Sequence, residues 1–473
     1  MRAEAVADRR WTAAAHGYGL IVAAVIGYFL LRIPVQVTDS FTSILALQAP
    51  FATLIRDQFY QVGYLRPGLW AEMKLVHDLS GGEYFYWFRM TQAVQVVVLL
   101  TLFVHVLRPR SFQDAVAVPV ALAVLVGSHA FAWTVREAYP VNTFLTILLC
   151  CAAAVALSSA APRWWTTPAA VALFAVAALT VESGLLVWVI LVAGYLLGWR
   201  GVSRAGVVGL CIALVAYFVL RFLVFANGLP GLSERDSGFG FTRHTPTELQ
   251  AMFGGNPLPF YAYNVVASVL TILAGEPRDG VFELARSVAE GRTSPSLLIG
   301  LVASLLATAV VIRYAWVRRA AWMARTFSHA DRLVILFVVV LAVNAAISFG
   351  YTKDIIMSPA GLLQAAAVFV GVRDLISRTA ASPVRRIGVA ALLLMLSTTW
   401  AIRAVGLHAA LDSTAGSVRE QWAFVDEWLT GRGSTGLSPT TEALKRHLQD
   451  DANLRHPARP QLREELTRLF EVE

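Results

Sequence analysis

Charge is scarce in this chain. Only 15% of its 473 residues are Asp, Glu, Lys or Arg, against about 25% in soluble domains, and that deficit excludes an ordinary water-soluble fold. Cysteine is scarcer still: Cys150, Cys151 and Cys211 all lie inside apolar runs, which leaves neither a disulfide framework nor a spaced zinc-ligand set. His16, His77, His105, His129 and His244 likewise show no metal-ligand spacing and read as packing or surface histidines. The net charge of +8 does not point to nucleic acid. The arginines fall in short segments between apolar runs, where they orient helices, and form no single basic patch. There is no internal repeat and no low-complexity tract.

What is present is apolar. Hydrophobic residues make up 57% of the chain and the mean hydropathy is +0.61. A helix needs roughly 17 to 25 such residues to cross a bilayer, and the runs available predict an all-α polytopic membrane protein of about 10–12 transmembrane helices. The first run, 18–37, is longer than the apolar region of a signal peptide and lacks a small-residue cleavage site, so it reads as a retained helix. Further runs occupy 84–107, 115–133, 141–160, 168–199 in two pieces around Glu182, 207–226, 257–274, 296–312, 333–349, 359–372 and 387–405.

Between them, 38–83 is too polar to cross and too apolar for a solvated loop. Its stretches FTSILALQ and RPGLWAEMKLVHDL carry apolar residues at helical spacing, which predicts interfacial helices. The segment 227–256 is a glycine-rich polar loop, and 406–473 turns polar as a small soluble helical tail after a membrane domain of 1–405. The aromatic stretch from Tyr84 to Phe88 suits an interfacial belt.

Lysine and arginine in short loops stay cytoplasmic. Arg2, Arg9 and Arg10, then Arg108 and Arg110, then Arg163, then Arg200 and Arg204 alternate correctly with an N-terminus inside. If 257–274 and 296–312 both crossed, Arg313, Arg318, Arg319, Arg325 and Arg332 would fall outside. One of the two is therefore expected not to cross fully, unless 227–256 hides a partial span. With that correction the polar residues Asp39, Glu182, Arg221, Lys353 and Asp354 gather at the outer, non-cytoplasmic face of a plasma or inner membrane. Ionisable groups at membrane depth default to functional or paired roles. Each also has a plainer reading: Asp39 as a helix cap, Glu182 as a turn residue, Arg221 as a snorkelling cation, and Lys353-Asp354 as a solvated loop.

The ordered pattern resembles a family. It comprises an acidic residue directly after the first helix, a long first outer loop with a Tyr-x-Arg-Pro element (Tyr64, Leu65, Arg66, Pro67), LTVESGLLVWVI around Glu182, YFVLR ending at Arg221, and FGYTKDIIMSPAG from Phe349 to Gly361. In succession these are similar to the GT-C superfamily of polyprenyl-phosphate-sugar-dependent glycosyltransferases, nearest the protein O-mannosyltransferase and TMTC-like branch. Two departures stand out. Relatives often carry paired acidic residues where this chain has Asp39-Ser40, and Val181 replaces the usual lysine before Glu182. Asp57 would supply a second carboxylate if its helix folds back, and the case for a divalent metal is weakened, since a hard cation prefers several oxygens. No cofactor is expected.

The resemblance implies sugar transfer from a polyprenyl-phosphate-linked donor to a lipid, glycan or protein acceptor at the outer face, with inversion. It makes Asp39 the general base, Arg66, Arg221 and Lys353 the phosphate-binding cations, and Glu182 the residue that orients a cation or the acceptor. Tyr64, Asp57 and Asp354 complete the candidate substrate site. Two other classes remain open: a transporter or flippase of lipid-linked saccharide, which would hold phosphate with the same cations, and a non-catalytic scaffold on the same fold.

Overall fold

The computed structural model describes residues 2–31, 43, 46–59, 65–82, 86–128, 130–131, 134, 143–225, 245–254, 256–274, 287–292, 295–350, 354–378, 383–419, 443 and 446. Among these, every regular element is helical. Seven helices are long and apolar enough to cross a membrane, or eight if one bent pair counts as a span. The chain is a multi-pass integral membrane protein. Four further apolar helices of 10–17 residues fall short of a full crossing by length, and the expected total of about 10–12 had counted these among the spans.

The chain opens with α1 (Arg2–Leu30). Two short helices follow, α2 (Phe51–Phe59) and α3 (Pro67–Leu79). The second matches the expected interfacial helix. Of the expected FTSILALQ stretch the described residues Ser43, Ala46 and Leu47 are helical, and α2 is a further helix that starts directly after Pro50, a residue that favours a helix start and resists helix continuation. Next come α4 (Tyr86–Leu107), α5 (Phe112–Val126), α6 (Thr143–Ser159), α7 (Thr166–Thr180), α8 (Leu185–Leu196) and α9 (Arg204–Phe218), the last continuing as a π-helical turn over Val219–Val224. Within the expected 227–256 loop the structure places a helix, α10 (Pro246–Phe253), started by a capping box in which Thr245 and Glu248 satisfy each other's backbone N–H groups.

The second half holds α11 (Leu258–Ala274), α12 (Pro295–Met323), α13 (His329–Ile347), α14 (Ser358–Arg378) and α15 (Pro383–Arg419). Two boundaries differ from expectation. Helix α12 does not stop at 312 but carries Arg313, Arg318 and Arg319 as helical residues. Arginine is a good helix former, and Arg313 and Arg318 have carboxylate partners, Asp374 and Asp331. Helix α15 runs without a break through 406, so the expected tail boundary falls inside a helix; apart from 443 and 446, residues beyond 419 lie outside the described ones.

The core forms around α14, whose apolar window is 94% buried. Its run of small residues lets neighbouring backbones approach closely. At Gly371 a Cβ would sit 2.6 Å from a Val310 methyl and 2.9 Å from the Val310 carbonyl, so α12 and α14 meet where only glycine fits. Helices α5, α12, α13 and α15 surround α14.

Helix ends sort the molecule into two faces. At one, Thr12 Oγ1 donates to the Pro109 carbonyl, His329 Nε2 lies 3.0 Å from the Val106 carbonyl, Arg373 meets Asp114, and Arg313 meets Asp374. This basic end collects the N-terminal helix, the Arg108–Arg110 loop and the α12–α13 turn. At the distal end, Tyr261 packs edge-on against Phe349 with ring centres 4.9 Å apart, and Asn264 Nδ2 donates to the Phe349 carbonyl. Helix α11 starts there, yet its last turn reaches only the middle of the bundle. The Ile272 carbonyl accepts from Gln364 Nε2 at 2.7 Å, and the Leu273 carbonyl accepts from Thr308 Oγ1 at 2.7 Å. Helix α12 spans and α11 does not reach the basic end, which removes the conflict over the arginine cluster.

Candidate functional site

The distal end brings together three residues that lie far apart in sequence. Helix α7 stops because Val181 is extended (φ −160°, ψ 158°), and Glu182–Gly184 then makes a single 3₁₀ turn before α8. The turn folds back onto its own helix. A Cβ at Gly184 would lie 2.0 Å from the Ala177 carbonyl, so this close approach requires glycine. The consequence is that Glu182 leaves the apolar wall and faces sideways.

Arg66 arrives from the N-terminal edge of α3, where Pro67 sets the first helical position. The start of α3 packs on the end of α7: a Cβ at Gly68 would be 3.0 Å from the Leu179 carbonyl. Arg221 arrives from the π turn at the end of α9. A π turn inserts a residue into the helical repeat, re-aims the side chains that follow and is frequent at functional sites. Phe225, which closes this turn, packs on Phe59 of α2 with ring centres 4.9 Å apart, so α2, α3, α7 and α9 converge here.

Glu182 sits between the two guanidiniums. Its Oε2 accepts from Arg66 Nη2 at 2.6 Å and Nε at 3.2 Å, while Oε1 faces Arg221 Nη2 at 3.1 Å. Arg221 Nη1 also donates to the Tyr217 hydroxyl at 2.8 Å. The Arg221 side chain is 4% exposed, against 28% for Arg66 and 32% for Glu182, so the cluster has a buried floor and an accessible rim. Among the described residues one carboxylate faces two guanidiniums, and these contacts hold the cations in fixed orientations. Such an arrangement receives an anion with little reorganisation.

The remaining expected residues fare differently. Asp39, Tyr64 and Lys353 lie outside the described residues. Asp354 opens a 3₁₀ turn, Asp354–Met357, that leads into α14 at the distal end, and its side chain lies outside the described ones. Asp57 does not join the cluster: it is solvent-exposed and pairs with its neighbour Arg56 at 3.3 Å. Among the described residues no group of three His, Cys, Asp or Glu comes together, and both Glu182 oxygens already face guanidiniums.

Three polar residues near this end escaped the sequence reading. Glu72 on α3 accepts from Gln95 Nε2 of α4 at 2.8 Å and from Thr146 Oγ1 of α6 at 3.1 Å. Burial pushes its carboxyl above the ordinary range, against the pull of the hydrogen bonds from Thr146 and Gln95. Lys74 donates to the Leu47 carbonyl at 2.9 Å and pairs with Asp78 at 2.7 Å. Arg89, in the first turn of α4, is completely buried and donates to Gln92 Oε1 at 3.0 Å. Arg89 carried a usable signal, a charged residue three positions from a glutamine inside an apolar run. Glu72 carried none, because its surroundings come from Gln95 of α4 and Thr146 of α6, distant in sequence. The chain matches no protein-family model, no curated protein and no solved structure.

Proposed function

We propose that the protein is a membrane glycosyltransferase that moves a sugar from a polyprenyl-phosphate-linked donor to an acceptor hydroxyl at its distal end, which faces the non-cytoplasmic side. The observation that carries this reading is the Arg66–Glu182–Arg221 cluster. A lipid-linked donor has an anionic phosphate at the membrane surface and a tail in hydrocarbon, and its acceptor arrives from water. A pair of guanidiniums at the end of apolar helices suits that phosphate, because arginine forms bidentate contacts with phosphate oxygens.

Glu182 keeps the guanidiniums from repelling each other when no donor is bound and fixes their planes when one is. In the reaction, the acceptor oxygen attacks the anomeric carbon as its proton passes to a carboxylate, for which Asp39 is our candidate by its place just after the first helix. The bond from that carbon to the phosphate oxygen breaks, and the phosphate leaves with the electron pair. Arg66 and Arg221, with Lys353 as a further candidate, stabilise the charge that develops there. The acceptor is a hydroxyl of a lipid, glycan or protein.

The test uses the full chain in nanodiscs with labelled polyprenyl-phosphate hexoses and a membrane extract as acceptor source. Arg221→Gln is expected to weaken donor binding, because a charge-assisted contact is lost. Asp39→Asn is expected to bind donor normally while losing on the order of 10² to 10⁴ in transfer rate. Full transfer by Asp39→Asn would remove the catalytic assignment. Movement of lipid-linked sugar across a vesicle bilayer without transfer would favour a transporter, and absence of both would leave a scaffold.

A further inference from the structure

A second polar feature lies at the other end of the molecule. A cavity of about 530 Å³ opens among the last turn of α4, the loop into α5, and the facing parts of α12, α13 and α14. Arg108, Arg110, Arg318, Arg373 and Arg378 line it, and Asp374 is the one carboxylate among the described lining residues.

Three of these arginines are anchored by carboxylates. Arg318 meets Asp331 through two contacts, Nε at 3.0 Å and Nη2 at 2.8 Å. Arg373 Nε lies 2.8 Å from Asp114 Oδ1. Arg378 Nε lies 2.8 Å from Asp374 Oδ2, which also meets Arg313 Nη1 at 3.1 Å. Asp331 and Asp114 are themselves fixed by capping boxes with Ser328 and Ser111 at the starts of α13 and α5. The guanidiniums are therefore held in place, and each keeps N–H donors beyond those its carboxylate uses, since a guanidinium has five. Among the described residues six guanidiniums, Arg313 included, surround three carboxylates.

Arg108 and Arg110 add unbalanced charge. Among the described residues neither side chain has a carboxylate partner: Arg108 Nη2 donates to the Ser159 carbonyl, and Arg110 uses only its backbone N–H toward Asp114. Arg108 has φ 53° directly after the last residue of α4. That left-handed conformation usually goes to glycine at a helix end. An arginine in that conformation carries a backbone cost. Orientation of helices by positive charge explains arginines at this end. It does not explain a cavity with guanidiniums clamped around it.

We propose that this cavity binds a phosphate-bearing anion, either the headgroup of an anionic lipid in the adjoining leaflet or a soluble phosphate compound. Basic pockets between membrane helices recognise phosphorylated headgroups, and the arginine fork matches phosphate oxygens. This site is independent of the Glu182 cluster at the distal end.

The experiment compares the full-length wild type with the double variant Arg108→Gln, Arg110→Gln, which breaks no ion pair among the described residues. Phosphatidic acid in nanodiscs, read by native mass spectrometry, probes the lipid arm; inorganic pyrophosphate, read by thermal shift, probes the soluble arm. Lipid retained by the wild type and held at least about tenfold more weakly by the variant, a difference of about 1.4 kcal/mol, supports a headgroup site. Pyrophosphate binding lost by the same factor supports a soluble anion. Equal behaviour of wild type and variant toward both probes, or binding of neither, overturns the proposal. If the double variant does not fold, salt decides on the wild type alone. Retention of whichever probe binds must fall steeply as ionic strength rises about tenfold, and salt-independent retention overturns the proposal equally.

Discussion

At the scale of single residues, the Glu182 carboxylate carries the distal site. Glu182→Gln keeps the volume and one acceptor oxygen but leaves the guanidinium of Arg221, 4% exposed, beside that of Arg66 without the carboxylate between them. Removing one partner of a buried pair costs about 3–5 kcal/mol. The partial exposure of Glu182 lowers that toward about 1–2 kcal/mol through solvent screening. A fall in melting temperature is therefore expected for Glu182→Gln. A smaller fall than the sum of the two singles is expected for Glu182→Gln combined with Arg221→Gln, because residues in contact are not additive. Additivity within error would show that the two residues do not interact in solution. Glu182 and Arg221 were legible in the sequence because each is an ionisable group within apolar sequence, where it is costly without a purpose, and Arg66 was legible through the Tyr-x-Arg-Pro element of the resemblance. Their pairing was not, since it depends on a 3₁₀ turn at Glu182 and a π turn at Arg221 that no residue pattern announced.

At the scale of elements, α3 shows what packing adds to pattern. Read alone, it is an amphipathic helix suited to the membrane surface. In the structure Glu72 ties it to α4 through Gln95 and to α6 through Thr146. Because burial raises the Glu72 carboxyl above its ordinary range, the folded chain holds that proton more tightly than the unfolded chain does. Stability attributable to Glu72 is thus greatest below the unfolded value and falls as pH rises from there through the folded value. Glu72→Gln, which can still exchange hydrogen bonds with both partners, is expected to flatten thermal stability against pH over that window. An unchanged slope would place the proton elsewhere. The spans themselves were legible as apolar runs, although the first, Arg9–Leu30, lies N-terminal to the expected run 18–37. The extension of α12 past 312 was not, because Arg313 reads as a loop residue until Asp374, 61 positions away, is seen to meet it.

At the scale of the whole molecule, the two ends differ in charge, and that difference predicts orientation. The basic end should face the cytoplasm, and α3 and the far end of α15 should share the other side. With the native cysteines replaced, Ser80→Cys and Ser417→Cys are expected to react with an impermeant thiol reagent in intact cells, and Thr326→Cys, in the α12–α13 turn, is not. Labelling of Thr326→Cys alone would invert the molecule. The half-inserted α11 also bears on how the chain is made. Backbone carbonyls at a helix end inside hydrocarbon need partners, and those of α11 take theirs from Thr308, 35 residues later, and Gln364, 92 residues later. When α11 emerges from the ribosome neither partner has emerged with it. Its stable seating must wait for α12 and α14, so the distal face of this protein is finished late in biogenesis, after the helices that follow it in sequence are already in the bilayer.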